Sequence, residues 1–292
     1  MPPKATNESA QVPKLAKMNY RVVNQLGSGA GSTILQISDK SAGGKRYALK
    51  VVKRHSAEDD PMIAQAQQEY EVSQKLNHPA ILKIHDIRQK KNWMFKVQGV
   101  ELLMEYVDGK TLDQIELAEI SQLILMFVQV ASAMSHMHRR GVYHGDLKPQ
   151  NIMLSKTGQV KLIDFGTAWL RGQDKERIQG TPQYMAPEQI ADKVVDEKTD
   201  IYNFGATMYR MFTGRVVNAV MPKPGEPRKL APPKQINPNL PSSLNDLILS
   251  CVEVDPSRRP DSMYDVVQKL EAVAKGLGLD MSDLKGASDE DE

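Results

Sequence analysis

His144-Gly145-Asp146-Leu147-Lys148-Pro149-Gln150-Asn151 is followed, thirteen residues after Asn151, by Asp164-Phe165-Gly166. A base, a phosphate-reaching cation and two metal-binding groups are thereby grouped in one short stretch, the equipment for moving a phosphoryl group. Such a transfer from a nucleotide needs neutralised phosphates and a positioned acceptor, and little else. Upstream, Gly27-Ser28-Gly29-Ala30-Gly31-Ser32 is a turn whose backbone amides can approach phosphate oxygens, because glycine lacks a Cβ. Lys50 lies on the strand after the next turn, with Ala48 and Leu49 beside it reading as core, so its ammonium could pair with the α- and β-phosphates. Either feature alone is commonplace; the combination is not.

The elements that must position these residues fall into two blocks. Tyr20-Arg21-Val22-Val23 and Thr33-Ile34-Leu35-Gln36-Ile37 read as strands flanking the glycine turn, and Gly43-Gly44 leads into a third strand at 46–52. Residues 61–76 carry helix formers without glycine and predict a helix that stops before Asn77-His78-Pro79. Two more strands are expected near 80–87 and 93–105. After Asp108-Gly109 the pattern turns helical, at 121–139, 199–213, 242–253 and 261–275. Seven prolines between 221 and 241 predict an extended or polyproline-like connector.

In this order, over about residues 20–275, the motifs resemble the protein kinase family in its Hanks-type, serine/threonine-directed form. The resemblance implies an α+β, two-lobed kinase-like fold. Its β-rich N-lobe (19–105) would have one main helix, with a hinge at 105–108 and a mostly helical C-lobe at 108–275. It implies that Leu26, the turn from Gly27 to Ser32, Ile34, Ala48, Lys50, Met104, Glu105, Val107 and Met153 bind ATP. Of these, Ile34, Ala48 and Met153 would sandwich the base, and the backbone at Glu105 and Val107 would bond the adenine edge. Glu69 matches the helix glutamate that pairs with Lys50, and Glu71 is the neighbouring alternative out of register with His78-Pro79. Asp146 matches the catalytic base and Lys148 the cation that reaches the transferred phosphate. Asn151 and Asp164 would hold Mg²⁺, for which Mn²⁺ can substitute. Carboxylate and amide oxygens suit that ion, and the loop from Asp146 to Asn151 lets the base face the acceptor while the amide turns to the metal. Thr181 and Glu188 fall in the acceptor-docking segment, Asp200 braces the catalytic loop and Arg259 matches the buried partner of Glu188. Lys148-Pro149 resembles members that act on Ser and Thr of proteins.

Three positions depart from the family pattern. Ser32 replaces the third glycine of the turn. Ser73 stands where the helix usually offers an apolar residue to a spine with Ile84, His144 and Phe165, which a regulatory protein partner could restore. Gly145 stands where arginine would grip a phosphorylated activation segment, and residues 168–180 contain no Ser, Thr or Tyr. Both halves of that switch are missing together, so the expectation is activity without phosphorylation of this segment. The rival readings are a catalytically dead nucleotide-binding scaffold and a small-molecule phosphotransferase. The scaffold has Ser32, Ser73 and Gly145 in its favour, against five intact polar catalytic positions. The small-molecule enzyme has the His-Gly-Asp loop, against Lys148-Pro149 and Ala186-Pro187-Glu188.

A net charge of +2, from 38 basic and 36 acidic residues, offers no argument for nucleic acid or an anionic membrane. The single cysteine, Cys251, excludes an internal disulfide and fits a reducing, cytoplasmic setting. The most apolar window, Leu123 to Val130, is too short for a membrane span. His136 and His138 read as packing histidines, 1–18 as a polar extension without a secretion signal, and 276–292 as an acidic, disordered tail.

Overall fold

The computed structural model describes residues 13–29, 31–115, 119–173, 180–192, 194–217 and 230–282. Ala30, most of the N-terminal extension, residues 174–179, the proline-rich stretch as far as 229 and the tail from 283 lie outside the described residues. The chain divides into two compact units, one within Met1–Tyr70 and Lys83–Tyr106, the other within Glu71–Leu82 and Val107–Glu292.

The first unit is an antiparallel sheet of β1 (Tyr20–Gly29), β2 (Ser32–Asp39), β3 (Lys45–Lys53), β4 (Ile84–Lys91) and β5 (Val97–Glu105), in the order β1-β2-β3-β5-β4. Period-two alternation sorts β3 into two faces. Tyr47 and Leu49 join Leu15, Ile37 and Leu103 in one apolar cluster. Ala48 and Lys50 therefore point to the other face. Cross-strand partners share a face: Ile34 pairs with Lys50 and Met104 with Ala48. Helix α1 (Asp60–Ser73) begins beyond a capping box made by Ser56 and Asp59. It buries Ile63, Ala66 and Glu69 at helical spacing.

Two expected strands are corrected. β4 starts at Ile84, later than 80, because Ala80 and Leu82 belong to the second unit and bond there to Leu162. The strand expected from 93 begins only at Val97, and Trp93-Met94-Phe95 is a turn. The apolar run looked like a buried strand, but Asn92 stops the ladder by accepting the amides of Met94 and Lys96 on its side chain.

The second unit is built on α2 (Ile120–Arg139), α4 (Glu197–Thr213), α6 (Ser242–Cys251) and α7 (Met263–Gly276), with short α3 (Pro187–Ala191) and α5 (Pro233–Ile236). α2 is long and apolar enough to cross a bilayer, yet Phe127, Val130 and Met134 lie fully inside the core. Gly205 lets α4 approach α6, since a Cβ there would lie 2.5 Å from that of Cys251. Three strands, β6 (Gly109–Thr111), β8 (Ile152–Ser155) and β9 (Val160–Leu162), pair in the order β6-β8-β9, and β7 (Val142–Tyr143) pairs with β10 (Trp169–Leu170). Within the predicted proline connector, Pro232-Pro233 instead starts the single turn α5, because proline's fixed φ suits a first helical position.

Candidate active site

In the first unit, Lys50 on β3 and Glu69 on α1 meet with Nζ 2.6 Å from Oε2, the carboxylate almost wholly buried. Burial without a cation would be costly, so the pair fixes both side chains. Glu71 is exposed. Register places Ile34, Ala48 and Met104 on the face that carries Lys50, as an apolar floor beside an ammonium. The glycine turn is closed by Ser32, which sits opposite Gly29 and donates its hydroxyl to the Gly29 carbonyl at 3.2 Å. Gly31 has φ +73°, a conformation glycine adopts without cost. Leu26 is exposed on β1, with Gly27 and Ser28 following it. The Glu105 amide is donated to the Lys83 carbonyl at 2.8 Å, which leaves any role toward a base to its carbonyl.

In the second unit, β7 leads into the loop from His144 to Asn151. Asp200 on α4 braces it: Oδ2 accepts the His144 amide at 2.7 Å and Oδ1 the Gly145 amide at 2.8 Å. Asp146 is held from three sides. Its Oδ1 accepts the Thr181 amide at 2.7 Å, its Oδ2 accepts the Lys148 ammonium at 2.6 Å, and its carbonyl accepts the Asn151 amide group at 2.8 Å. Lys148 also donates to the Thr181 hydroxyl at 2.7 Å.

Because the Asn151 NH₂ donates to the Asp146 carbonyl, Oδ1 is the oxygen this side chain can offer to a cation. Asp164 has φ +66°, an uncommon conformation for a residue with a side chain, and Phe165 behind it is fully buried. Among the described residues no group of three or more His, Cys, Asp or Glu could hold a metal. Two hard oxygen ligands nevertheless fit a cation that takes most of its shell from water and phosphate. Met153 on β8 and Val107 also belong to this unit.

The protein kinase domain profile matches residues 20–270. This chain belongs to the protein kinase domain family. Similar proteins include a probable serine/threonine-protein kinase of Clostridium perfringens, 30% identical over 96% of this chain and 42% of its own length. The serine/threonine-protein kinase PrkC of Bacillus subtilis is 26% identical over 88% of this chain and 40% of its own. A Xenopus laevis homologue of the hormonally up-regulated neu tumor-associated kinase is 33% identical over 75% of this chain and 36% of its own. The chain thus spans about two fifths of the bacterial relatives it matches (42% and 40%). A kinase domain implies ATP and a divalent metal ion.

Two further features of the kinase domain concern how its loops are held. Arg259 gives both guanidinium nitrogens to Glu188, at 2.6 and 2.9 Å, and its other hydrogens to the carbonyls of Glu253, Lys198 and Val254. His138, read as a packing residue, bridges Asp200 at 2.8 Å and Glu197 at 3.2 Å. Burial alone would depress its pKa, but the hydrogen bonds to these two carboxylates outweigh that and raise it to about 9.

Gln189 was missed by sequence reading. It is buried on α3, donates to the Gly145 carbonyl at 2.6 Å and accepts the Ala186 amide at 3.3 Å. It ties the loop at 144–151 to the segment at 186–188. The only signal was its place beside Glu188, and an uncharged residue there gives no chemical cue.

Proposed function

We propose that this chain transfers the γ-phosphoryl group of ATP to serine and threonine hydroxyls of proteins, with Mg²⁺, and without phosphorylation of its activation segment. The observation that carries the reaction is the Asp146–Lys148–Thr181 set. It holds a carboxylate and an ammonium 2.6 Å apart beside a docking-segment hydroxyl.

The first unit's share is the nucleotide. Lys50, steered by Glu69, answers the charge of the α- and β-phosphates, and the apolar floor of Ile34, Ala48 and Met104 receives the base. The second unit's share is the acceptor. Asp146 orients the incoming hydroxyl and takes its proton as the oxygen bonds to the γ-phosphorus. The bond from that phosphorus to its bridging oxygen breaks, and ADP leaves with the electron pair. Lys148 offsets the charge of the moving group. Asn151 and Asp164 would hold the divalent cation, which supplies charge neutralisation at the phosphates when bound.

Independence from phosphorylation rests on position 145. A Cβ there would lie 3.4 Å from Trp169 Cδ1 and 3.5 Å from Val195 Cγ1. Trp169, Val195 and Tyr143 form an apolar cluster. β10 is paired to β7, and Arg171 donates to the Tyr143 hydroxyl at 3.2 Å. Packing and strand pairing therefore anchor the start of the segment, the task a phosphate–arginine contact performs elsewhere. Control then rests with a protein partner or is absent. A cytoplasmic setting belongs to the same proposal, supported by the buried thiol of Cys251, whose pKa burial pushes up to about 12.

A peptide-library phosphorylation assay with radiolabelled ATP and Mg²⁺ tests the reaction. Label should enter Ser and Thr peptides, and the Asp164→Asn protein should give background. Transfer confined to tyrosine, or none by the unmutated protein, would refute it.

A further inference from the structure

The turn between β4 and β5 carries three consecutive large apolar side chains into solvent: Trp93 is 86% exposed, Met94 58% and Phe95 83%. The turn is built, not loose. Asn92 and Lys96 close it at 2.9 Å through the Asn92 amide, Phe95 donates to the Asn92 carbonyl at 3.0 Å, and Asn92 Oδ1 accepts the amides of Met94 and Lys96. Phe95 is held at φ +60°, where a bulky side chain is strained and glycine or asparagine would not be. Strain retained at one residue marks a constraint that folding alone does not require.

Exposed Lys90, Lys91 and Lys96 flank the tip. Lys90 lies 2.5 Å from Glu101 within the sheet. Acidic residues also stand at this end of the sheet. Asp60 pairs with Arg54 and feels Lys96, Asp59 accepts the His55 and Ser56 amides, and Glu58 is exposed. Lys91 and Lys96 are therefore the cations the tip presents outward.

We propose that this hairpin tip inserts into the interface of an anionic lipid membrane, with Trp93, Met94 and Phe95 entering the headgroup boundary and Lys91 and Lys96 contacting anionic headgroups. Aromatic side chains partition to that boundary, and lysines beside them gain from its negative potential. A protein partner fits less well. A specific interface buries about 800 Å² per side, far more than three side chains on a convex tip offer. A membrane needs no complementary shape. The near-neutral charge of the whole chain conceals this local grouping. The tip lies away from Lys50 along β3 and β5, so it is an attachment device separate from the phosphotransfer chemistry.

The test uses the full chain with vesicles of phosphatidylcholine alone or mixed with phosphatidylserine. Trp93 is the responsive fluorophore, because Trp169 is buried. Its emission should shift to the blue and become shielded from acrylamide with the mixed vesicles only. Lys91→Ala with Lys96→Ala should weaken binding roughly 25-fold, at about fivefold per lysine. Trp93→Ser with Phe95→Asn, which lacks the fluorophore and is read by co-sedimentation with the vesicles, should abolish binding, leave phosphorylation of a soluble peptide unchanged, and keep or raise Tm by relieving the strain. Vesicle binding that ignores these substitutions, a lower Tm in the double variant, or a lipid-free shift of Trp93 emission that grows with protein concentration would overturn the proposal, the last by making the tip a contact between copies.

Discussion

In the reaction proposed above, Asp146 is the base, and its two oxygens are already held in place, one by the Thr181 amide and one by Lys148. Replacing it by asparagine keeps the shape and removes the proton acceptor. Asp146→Asn should lower kcat by about 10²–10⁴-fold with Tm nearly unchanged, measured by steady-state kinetics beside thermal melting. Gly145 makes the opposite kind of prediction. Its φ of +73° suits glycine, so Gly145→Arg should cost about 1–2 kcal/mol in stability. It should bring no gain in rate, because residues 168–180 contain no Ser, Thr or Tyr whose phosphate the guanidinium could bind. Melting curves and peptide phosphorylation measure both effects. The Lys50–Glu69 pair and the bracing of the loop by Asp200 were legible in sequence, because residue type and spacing carry them. Gln189 was not, since an amide that organises backbone has no chemistry to announce.

Elements were legible where one period dominated. α1 and α2 follow from uninterrupted helical spacing, and β3 from Tyr47-Ala48-Leu49-Lys50 between Gly44 and the charged run after Val52. Trp93-Met94-Phe95 misled for a physical reason: apolar content predicts burial, whereas the side chain of Asn92 decides that the chain must turn. The β7–β10 pair was illegible because two-residue strands carry no period. That pair has a testable consequence. Trp169 packs with Tyr143 and Val195 at the start of the activation segment. Trp169→Ala should cost about 3–5 kcal/mol if the cluster is well packed. It should also speed proteolysis after Arg171 and reduce peptide phosphorylation, which limited trypsin digestion and a rate assay would measure.

Across the whole molecule, stability should follow pH through His138. Its folded pKa of about 9 exceeds the unfolded value near 6.5, so the protonated histidine stabilises the fold fully below pH 6.5. The contribution fades as pH rises toward 9. Tm of the unmutated protein should therefore fall toward that of His138→Gln as pH increases through this window, read from melting curves of the two proteins. His78 acts at the other end: burial depresses it to about 4, so acid that charges it should destabilise the fold. If packing around Gly145, and not a phosphate, sets the activation segment for transfer, phosphorylation of that segment should make no difference to the rate. Phosphatase-treated protein should phosphorylate a Ser/Thr peptide at its full initial rate, with no lag and no gain from pre-incubation with ATP. A rate at background that recovers only after such pre-incubation would mean that a phosphate, and not packing around Gly145, sets the segment.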